Sequence, residues 1–299
     1  MIKRLKVHNA NAHSSPYSIG FPAMTAWLGA AHALQRKLRA AEQFDDLEEL
    51  TFPAVGVVCH DFNLHAYKGA KQYEQVLIGT GNPLDKSGER PSFIEEARCD
   101  LTVSLVLEYD CDDDADLVDA VIQNLPILKM AGGDILPFRV EQIKLRQIHG
   151  ETEFHTLIGD LMPGFCLIER REIMQQAMEQ GQDALDALLD ALKIIHHCEV
   201  DEAGKITWKS AKQQKGWLIP ISTGFQGISE LGNAQLQRDP DIPHRFAESI
   251  VTLAEFIMPY RLETLDQMLW HYHIERENNL YLCQQSIFVN NRNWRIKHG

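Results

Sequence analysis

Leu101, Val103, Leu105 and Leu107 recur at every second position of the run CDLTVSLVLEY, with Thr102, Ser104 and Val106 between them. That period fits a strand with one packed face and excludes a helix, whose apolar positions recur every three to four residues. Two earlier segments also read as strands. Lys3 to His8 alternates Leu5 and Val7 inward with Arg4, Lys6 and His8 outward, which places the basic side chains on one face. FPAVGVVCHDF is a short continuous apolar run rich in valine, the composition of a central strand.

Between these two strands the spacing predicts a helix. At about 100° per residue, Trp27, Ala31, Leu34 and Leu38 share one stripe while His32, Arg36 and Arg39 gather opposite it. A second helix is expected in DADLVDAVIQNL, with Asp114 as N-cap, Leu117, Val118, Val121, Ile122 and Leu125 on the repeat, and Pro126 as its end. MAGGDILPF then turns the chain into a less regular fourth strand, VEQIKLRQI. The order strand, helix, strand, strand, helix, strand is that of an α+β protein with a ferredoxin-like or RNA-recognition-type core. Such a sheet can present an open face to RNA.

Residues 61–94 are polar and turn-rich, with Gly69, Gly79, Gly81, Asn82-Pro83 and Ser87-Gly88, and read as a hairpin inserted between strands. Residues 1–150 therefore form the expected core and 151–299 an elaboration packed on it as part of one unit. That second part is expected to hold helices over about 171–197 broken near Gly181, and a strand GWLIPIS ending before TGFQGISELG. A helical pair, RFAESIVTLAEFI and RLETLDQMLW, should follow, parted by Met258-Pro259.

The formal net charge is −13, yet the first forty-one residues contain six Lys and Arg and no Asp or Glu. Acids concentrate instead at Asp45, Asp46, Glu48 and Glu49 and at Asp110, Asp112, Asp113, Asp114 and Asp116. Further cations gather at Lys205, Lys209, Lys212 and Lys215, and at Arg292, Arg295 and Lys297. Segregation of this kind permits one basic face on an acidic protein, as a phosphate backbone requires. Trp208 and Trp217 bracket the central lysines, and aromatic faces beside cations suit unpaired bases, although Trp217 in GWLIPIS reads as a core residue.

No apolar stretch approaches the roughly 20 residues of a membrane span, and Met1 leads into a strand rather than a signal sequence, so a cytoplasmic protein is expected. The six cysteines are scattered without a CxxC pair and read as reduced core thiols.

Candidate chemistry is sparse. His60 and His65 flank Asp61 without a third and fourth ligand at a recognisable spacing, so no metal is assigned. His196-His197-Cys198 reads as the end of a helix, where imidazole meets the C-terminal dipole, and His271 with His273 has no cysteine pair nearby. The Gly132-Gly133 and Gly224 to Gly232 regions lack a Walker lysine and a GxGxxG pattern, so no nucleotide cofactor is expected. Glycine there instead lets a backbone approach a phosphate or another chain. A general base at His60 or His32, acting near an RNA 2′-hydroxyl, is the alternative from enzyme chemistry.

The block NANAHSSPYSIGFPAMTAWLGAAHALQRKL resembles the amino-terminal part of the second Csy subunit family of the type I-F CRISPR RNA-guided surveillance complex. The likeness continues through VGVVCHDFNLHAY, NPLDKSGERPSFIEEARCDLTVSLVL, MAGGDILPF, LMPGFCLIERRE, GWLIPISTGFQGISELG and RFAESIVTLAEFIMPYRLETLDQMLW, nearly the whole chain. The resemblance implies a repeat-associated RNA-binding (RAMP) fold: a modified RNA-recognition-type core with an inserted thumb hairpin, for which 61–94 is the candidate, and a C-terminal α/β extension. It implies a non-catalytic subunit that holds the 5′ handle of the CRISPR RNA. Its partners would be the large Csy subunit, the backbone Csy subunit and, through the assembled complex, target DNA, with no membrane. On the matching block the residues expected at RNA are Asn9, Asn11, Ser14 and Ser15 for hydrogen bonds, Tyr17 and Phe21 for loop packing or stacking, and Arg36 and Arg39 for phosphates, with His32 on the same stripe. The family also leaves open an endoribonuclease of the same superfamily as the alternative.

Overall fold

The computed structural model describes residues 1–41, 43–44, 47–78, 83–89, 96–200, 204–237 and 239–285. Asp45, Asp46, Gly79, Gly81, Asn82, Arg292, Arg295 and Lys297 lie outside the described residues.

The first strand, β1 (Ile2–Asn11), leads through the short hairpin β2 (His13–Ser15) and β3 (Ser18–Ile19) into helix α1 (Met24–Arg39). The chain continues as β4 (Ala54–Leu64), the small ladder β5 (Ala66–Tyr67) with β6 (Val76–Leu77), β7 (Arg98–Leu107) and α2 (Leu117–Asn124). A tight hairpin of β8 (Lys129–Met130) and β9 (Gly133–Ile135) follows, then α3 (Glu151–Leu161), β10 (Phe165–Glu169), α4 (Arg171–Glu179) and α5 (Ala184–Leu192). The remainder is strand-rich: β11 (Ile194–Val200), β12 (Ile206–Lys212), β13 (Leu218–Gly227), β14 (Ala247–Ile257), β15 (Trp270–Glu275) and β16 (Leu280–Gln285).

Ten of these strands form one antiparallel sheet, which runs β4-β7-β1-β9-β8 on one side. The other edge of β4 is shared: Val55 pairs with Trp270 of β15, whereas Val58 and Cys59 pair with Cys166 and Phe165 of β10. Because β10, β14, β13, β16 and β15 are themselves neighbours in that order, the pairings close a six-stranded ring on β4.

β4 has packed helices on both faces, which is why it reads as a continuous apolar run. Val55, Val57 and Cys59 join Trp27, Leu28, Leu34 and Leu38 of α1 and Leu117 and Val121 of α2 in the main core. Ala54 and Val58 face the other way, onto Phe154, Leu157, Ile158 and Leu161 of α3. A third, smaller core gathers Met174, Leu188, Leu218 and Leu253 beneath α4 and α5.

Several sequence expectations need correction. The fourth strand falls at Gly133–Ile135, not in VEQIKLRQI; Val140–Gln142 is a 3-10 turn and only Ile143 bridges to Ile2. There the Gln142 side chain donates to the carbonyls of Lys3 (2.7 Å) and Arg4 (3.0 Å), standing in for a backbone ladder. The outward row on β1 is broken by irregularities on either side of Leu5–Val7, with Arg4 at φ +50° and Asn9 at φ +58°. Arg4 therefore turns onto the carbonyls of Met162 and Pro163, and only Lys6 and His8 of the three basic side chains remain exposed. Asp114 accepts the Tyr109 hydroxyl at 2.6 Å rather than capping α2, which starts at Leu117.

The helix pair expected over 245–270 is strand β14, two 3-10 turns and the start of β15. AESIVTLAEFI is flanked by β13 and β10, so it buries consecutive residues, Thr252 to Glu255, and mimics a helical repeat. GWLIPIS extends through the glycines to Gly227, and Pro220 is tolerated because β16 pairs with β13 only at Gly224 to Gln226. The helices after Arg171 end at Leu192, so His196, His197 and Cys198 lie on β11 of an exposed ribbon, with His196 Nδ1 2.8 Å from Ser210 Oγ. Cys59, Cys99, Cys166 and Cys283 are buried, while Cys198 is exposed.

One ion cluster ties β1 to α3. Asp160 meets Lys3 at 2.9 Å, Arg146 at 2.5 Å and Lys144 at 3.5 Å. Burial alone would raise its pKa, but hydrogen bonds from Lys3 and Arg146 and the nearby charges bring it down to about 2. The unfolded carboxyl binds a proton first on acidification, so the stabilisation is complete above about pH 4 and fades as pH falls toward 2. Asp160→Asn should cost on the order of 1–2 kcal/mol at pH 7 after solvent screening. In urea titrations the gap from wild type should shrink between about pH 4 and pH 2; a gap that stays constant would rule out the titration.

Candidate nucleic-acid interface

The acid-free amino-terminal segment builds one wall of an open groove of about 1000 Å³. Its floor is a face of α1 made of Ala26, Gly29, Ala30 and Ala33, and its walls include Asn11, His13 and Ser14, Arg98 at the start of β7, Lys129 and the Ala131-Gly132 turn, and Phe225 and Tyr281 from the ring. Helical spacing carries the same face one turn further to Arg36 and Lys37, both exposed. These two also sit in the last turn of α1, where the helix dipole favours cations.

The β8–β9 turn is shaped for this position. Ala131 and Gly132 both have positive φ, +49° and +76°, the geometry of a tight two-residue hairpin. Gly133 admits no side chain, since a Cβ there would lie 2.7 Å from the His8 carbonyl and 2.8 Å from the Ala10 amide. The turn is consequently pressed against β1, and Asn11 N–H donates to the Ala131 carbonyl at 2.8 Å.

The residues expected at RNA separate into three groups. Asn11 and Ser14 line the groove, and Arg36 continues its floor with its side chain unpaired among the described residues. Asn9, His32 and Tyr17 are exposed; Asn9 uses its backbone N–H on Asp100 Oδ1 at 2.9 Å, and Tyr17 crowns the β2–β3 hairpin. Ser15 is buried, bonded to Ser18 Oγ at 2.7 Å and to the Tyr17 N–H at 3.1 Å, and so shapes the loop. Phe21 is buried, stacked on Trp27 at 5.5 Å between ring centroids. Arg39 donates to the carbonyls of Leu50 at 2.5 Å and Glu49 at 3.2 Å, which commits it to holding the turn after α1.

Sequence reasoning missed His13, Lys37, Arg98 and Lys129. Only the MAGG turn, already marked as a place for close backbone approach, pointed to this spot. Two of these cations are paired within the chain, Arg98 with Glu96 and Lys129 with Asp134. Trp217, expected in the core, is half exposed and leans on Phe165 and Phe256. Trp208 is exposed on β12, and Lys209 pairs with Glu199 at 2.7 Å.

His60 has no free nitrogen. Nδ1 lies 2.6 Å from the Pro163 carbonyl and Nε2 2.7 Å from Ser104 Oγ, whose oxygen also accepts the Arg4 N–H at 2.9 Å. Burial holds the imidazole below its ordinary pKa, and the charges of Arg4 and Lys3 act in the same direction against the pull of the Pro163 carbonyl. Among the described residues no three His, Cys, Asp or Glu side chains converge to hold a metal ion. No helix among them is long and apolar enough to cross a membrane.

The molecule is thus a mixed α/β protein built on one large antiparallel sheet, with a groove along its first helix. Residues 1–283 match the family described as CRISPR-associated protein (Cas_Csy2). Over 319 aligned positions the chain is 32% identical to the CRISPR-associated protein Csy2 of Pseudomonas aeruginosa (strain UCBPP-PA14), covering 97% of this chain and 95% of that protein. The chain belongs to the Csy2 family of the type I-F CRISPR system.

Proposed function

We propose that this chain is a non-catalytic RNA-binding subunit of a Csy surveillance complex, holding the 5′ handle of the CRISPR RNA in the groove along α1. The observation that carries the proposal is the convergence there of Asn11, His13, Ser14, Arg98 and Lys129 over a floor of small side chains, extended by Arg36 and Lys37. Cations fix the phosphates, the small floor admits a strand closely, and Asn and Ser supply neutral donors and acceptors for sugars or bases. Family membership implies other Csy subunits and CRISPR RNA as partners; the large and backbone subunits, and target DNA through the assembly, complete the reading.

The strand order supports a modified ferredoxin-like, RNA-recognition-type (RAMP) core. β4-β7-β1-β9 are the second, third, first and fourth strands of the expected series, all antiparallel, with α1 and α2 in one core cluster. The ring of later strands is then an elaboration sharing β4. Within 61–94, the β5–β6 ladder is the described strand pairing of the expected thumb.

The test is purification of the chain with the other Csy subunits and CRISPR RNA, followed by sizing of the retained RNA. An intact guide with a protected 5′ handle is expected. Arg36→Ala and Arg98→Ala should each weaken retention and lower the salt dependence of binding by about one counterion. His60→Ala and His32→Ala should leave RNA length unchanged; newly cut RNA from the chain alone, lost in either variant, would shift the case to an endoribonuclease.

A further inference from the structure

A second pocket, of about 210 Å³, opens beside the β2–β3 hairpin at the seam where the ring closes on β4. Ile19, Gly20 and Phe21 form one side; Cys59 and Phe62 of β4, Phe165 of β10, Trp217, Ile219 and Pro220 at the start of β13, and Phe256 of β14 form the rest. Five rings make a continuous arc. Phe62 lies 6.4 Å from Phe21, Phe21 5.3 Å from Phe256, Phe256 5.3 Å from Trp217 and Trp217 5.1 Å from Phe165, measured between centroids. The rim is apolar as well as the floor: Ile19, Phe62 and Trp217 are 46%, 38% and 52% exposed.

Most polar groups of these walls are already engaged within the chain. The Cys59 thiol points to the Asp61 carbonyl at 3.5 Å, Gly20 N–H donates to Ala12 at 2.9 Å, Phe256 N–H donates to Trp217 at 3.1 Å, and Pro220 has no N–H. A nucleobase seated here would turn most of its ring nitrogens and exocyclic groups against carbon, at a cost of about 1–3 kcal/mol for each one left unpaired. Sequence-specific RNA recognition depends on hydrogen bonds to those edges. The volume lies below the roughly 300–1,000 Å³ of small-molecule sites and accepts about one side chain. Exposed aromatic pockets of this size are where partner proteins seat their anchor residues.

We propose that this pocket receives one large apolar side chain, of leucine, methionine or phenylalanine size, from another Csy protein subunit. The proposal rests on the chain being a subunit of that complex, and it is independent of whether the α1 groove holds the RNA handle. It assigns the ring seam to protein contact and the α1 groove to RNA.

The direct test places the photo-crosslinking residue p-benzoylphenylalanine at exposed Ile19 in the chain assembled with the other Csy subunits and CRISPR RNA. After irradiation, mass spectrometry should find an adduct with a Csy protein; an adduct with RNA, or none, overturns the proposal. In parallel, Phe62→Asp and Trp217→Ala should weaken association with the other subunits by about ten-fold or more, while affinity of the chain alone for handle RNA stays within about two-fold. Unchanged association, or an equal loss of RNA affinity, also overturns it. Trp217→Ala keeps this arm valid if the buried half of Phe62 makes its aspartate variant misfold. If the unaltered chain binds no handle RNA, the α1-groove reading fails, and the crosslink still decides the pocket.

Discussion

Trp27→Ala is expected to lower stability by about 3–5 kcal/mol and to abolish RNA retention with it. Trp27 is fully buried, stacks on Phe21 at 5.5 Å and donates its indole N–H to the Pro22 carbonyl at 3.2 Å. It therefore fixes α1 against the sheet and the preceding loop against α1. The cavity would open beneath Ala26 and Ala30, the floor of the groove, so both properties fail together. A urea midpoint that moves by less than the equivalent of about 1 kcal/mol would show that the core collapses around the gap. Trp27→Phe keeps much of the volume and loses only the indole and its N–H, so it should fall between the two.

Glu169→Ala should cost about 2–4 kcal/mol, concentrated at the last strand of the ring. Glu169 is buried, takes Arg171 on one oxygen and the Gln285 N–H on the other at 3.0 Å, while its own N–H donates to Gln285 Oε1 at 2.7 Å. Burial pushes its pKa up, which marks the carboxylate as dependent on those partners. Its removal leaves the Arg171 guanidinium without its carboxylate and the Gln285 amide without an acceptor. Hydrogen exchange should accelerate over Leu280–Gln285 before it does over β1 or β7. Equal acceleration across the sheet would mean that β16 does not open as a separate unit. Arg170 with Glu255 forms a neighbouring pair, so partial compensation keeps the expected loss below that of Trp27.

The first half of the fold was legible because β7 and α1 carry clean periods and β4 a continuous valine-rich run. Leu101, Val103 and Leu105 on β7, and Trp27, Leu34 and Leu38 on α1, are buried as their spacing requires. The second half was obscured by double-sided burial. Thr252 to Glu255 is covered on both faces and between two strands, so it shows no period of two. Short elements failed for another reason. The Lys129–Met130 and Gly133–Ile135 strands are fixed by turn geometry and the absence of a Cβ at Gly133, which hydropathy does not record. Of the candidate site, Asn11, Ser14 and Arg36 came from the family resemblance of the amino-terminal block. Arg98 and Lys129 are distant in sequence and join them only through the pairing of β1 with β7 and β9.

The closure of the six-stranded ring on β4 has a consequence for synthesis. A ribosome releases β4 with only one of its edges soon to be matched, by β7. Its other edge waits for Phe165 and Cys166, and then for Trp270 near the end of the described chain. Throughout that interval the nascent polypeptide carries an unsatisfied strand edge of valine and cysteine, the kind of template on which chains join one another. Solubility during translation therefore depends on how quickly β10 arrives to cover it, and slow codons placed between β4 and β10 would be a hazard that the same codons after β16 would not.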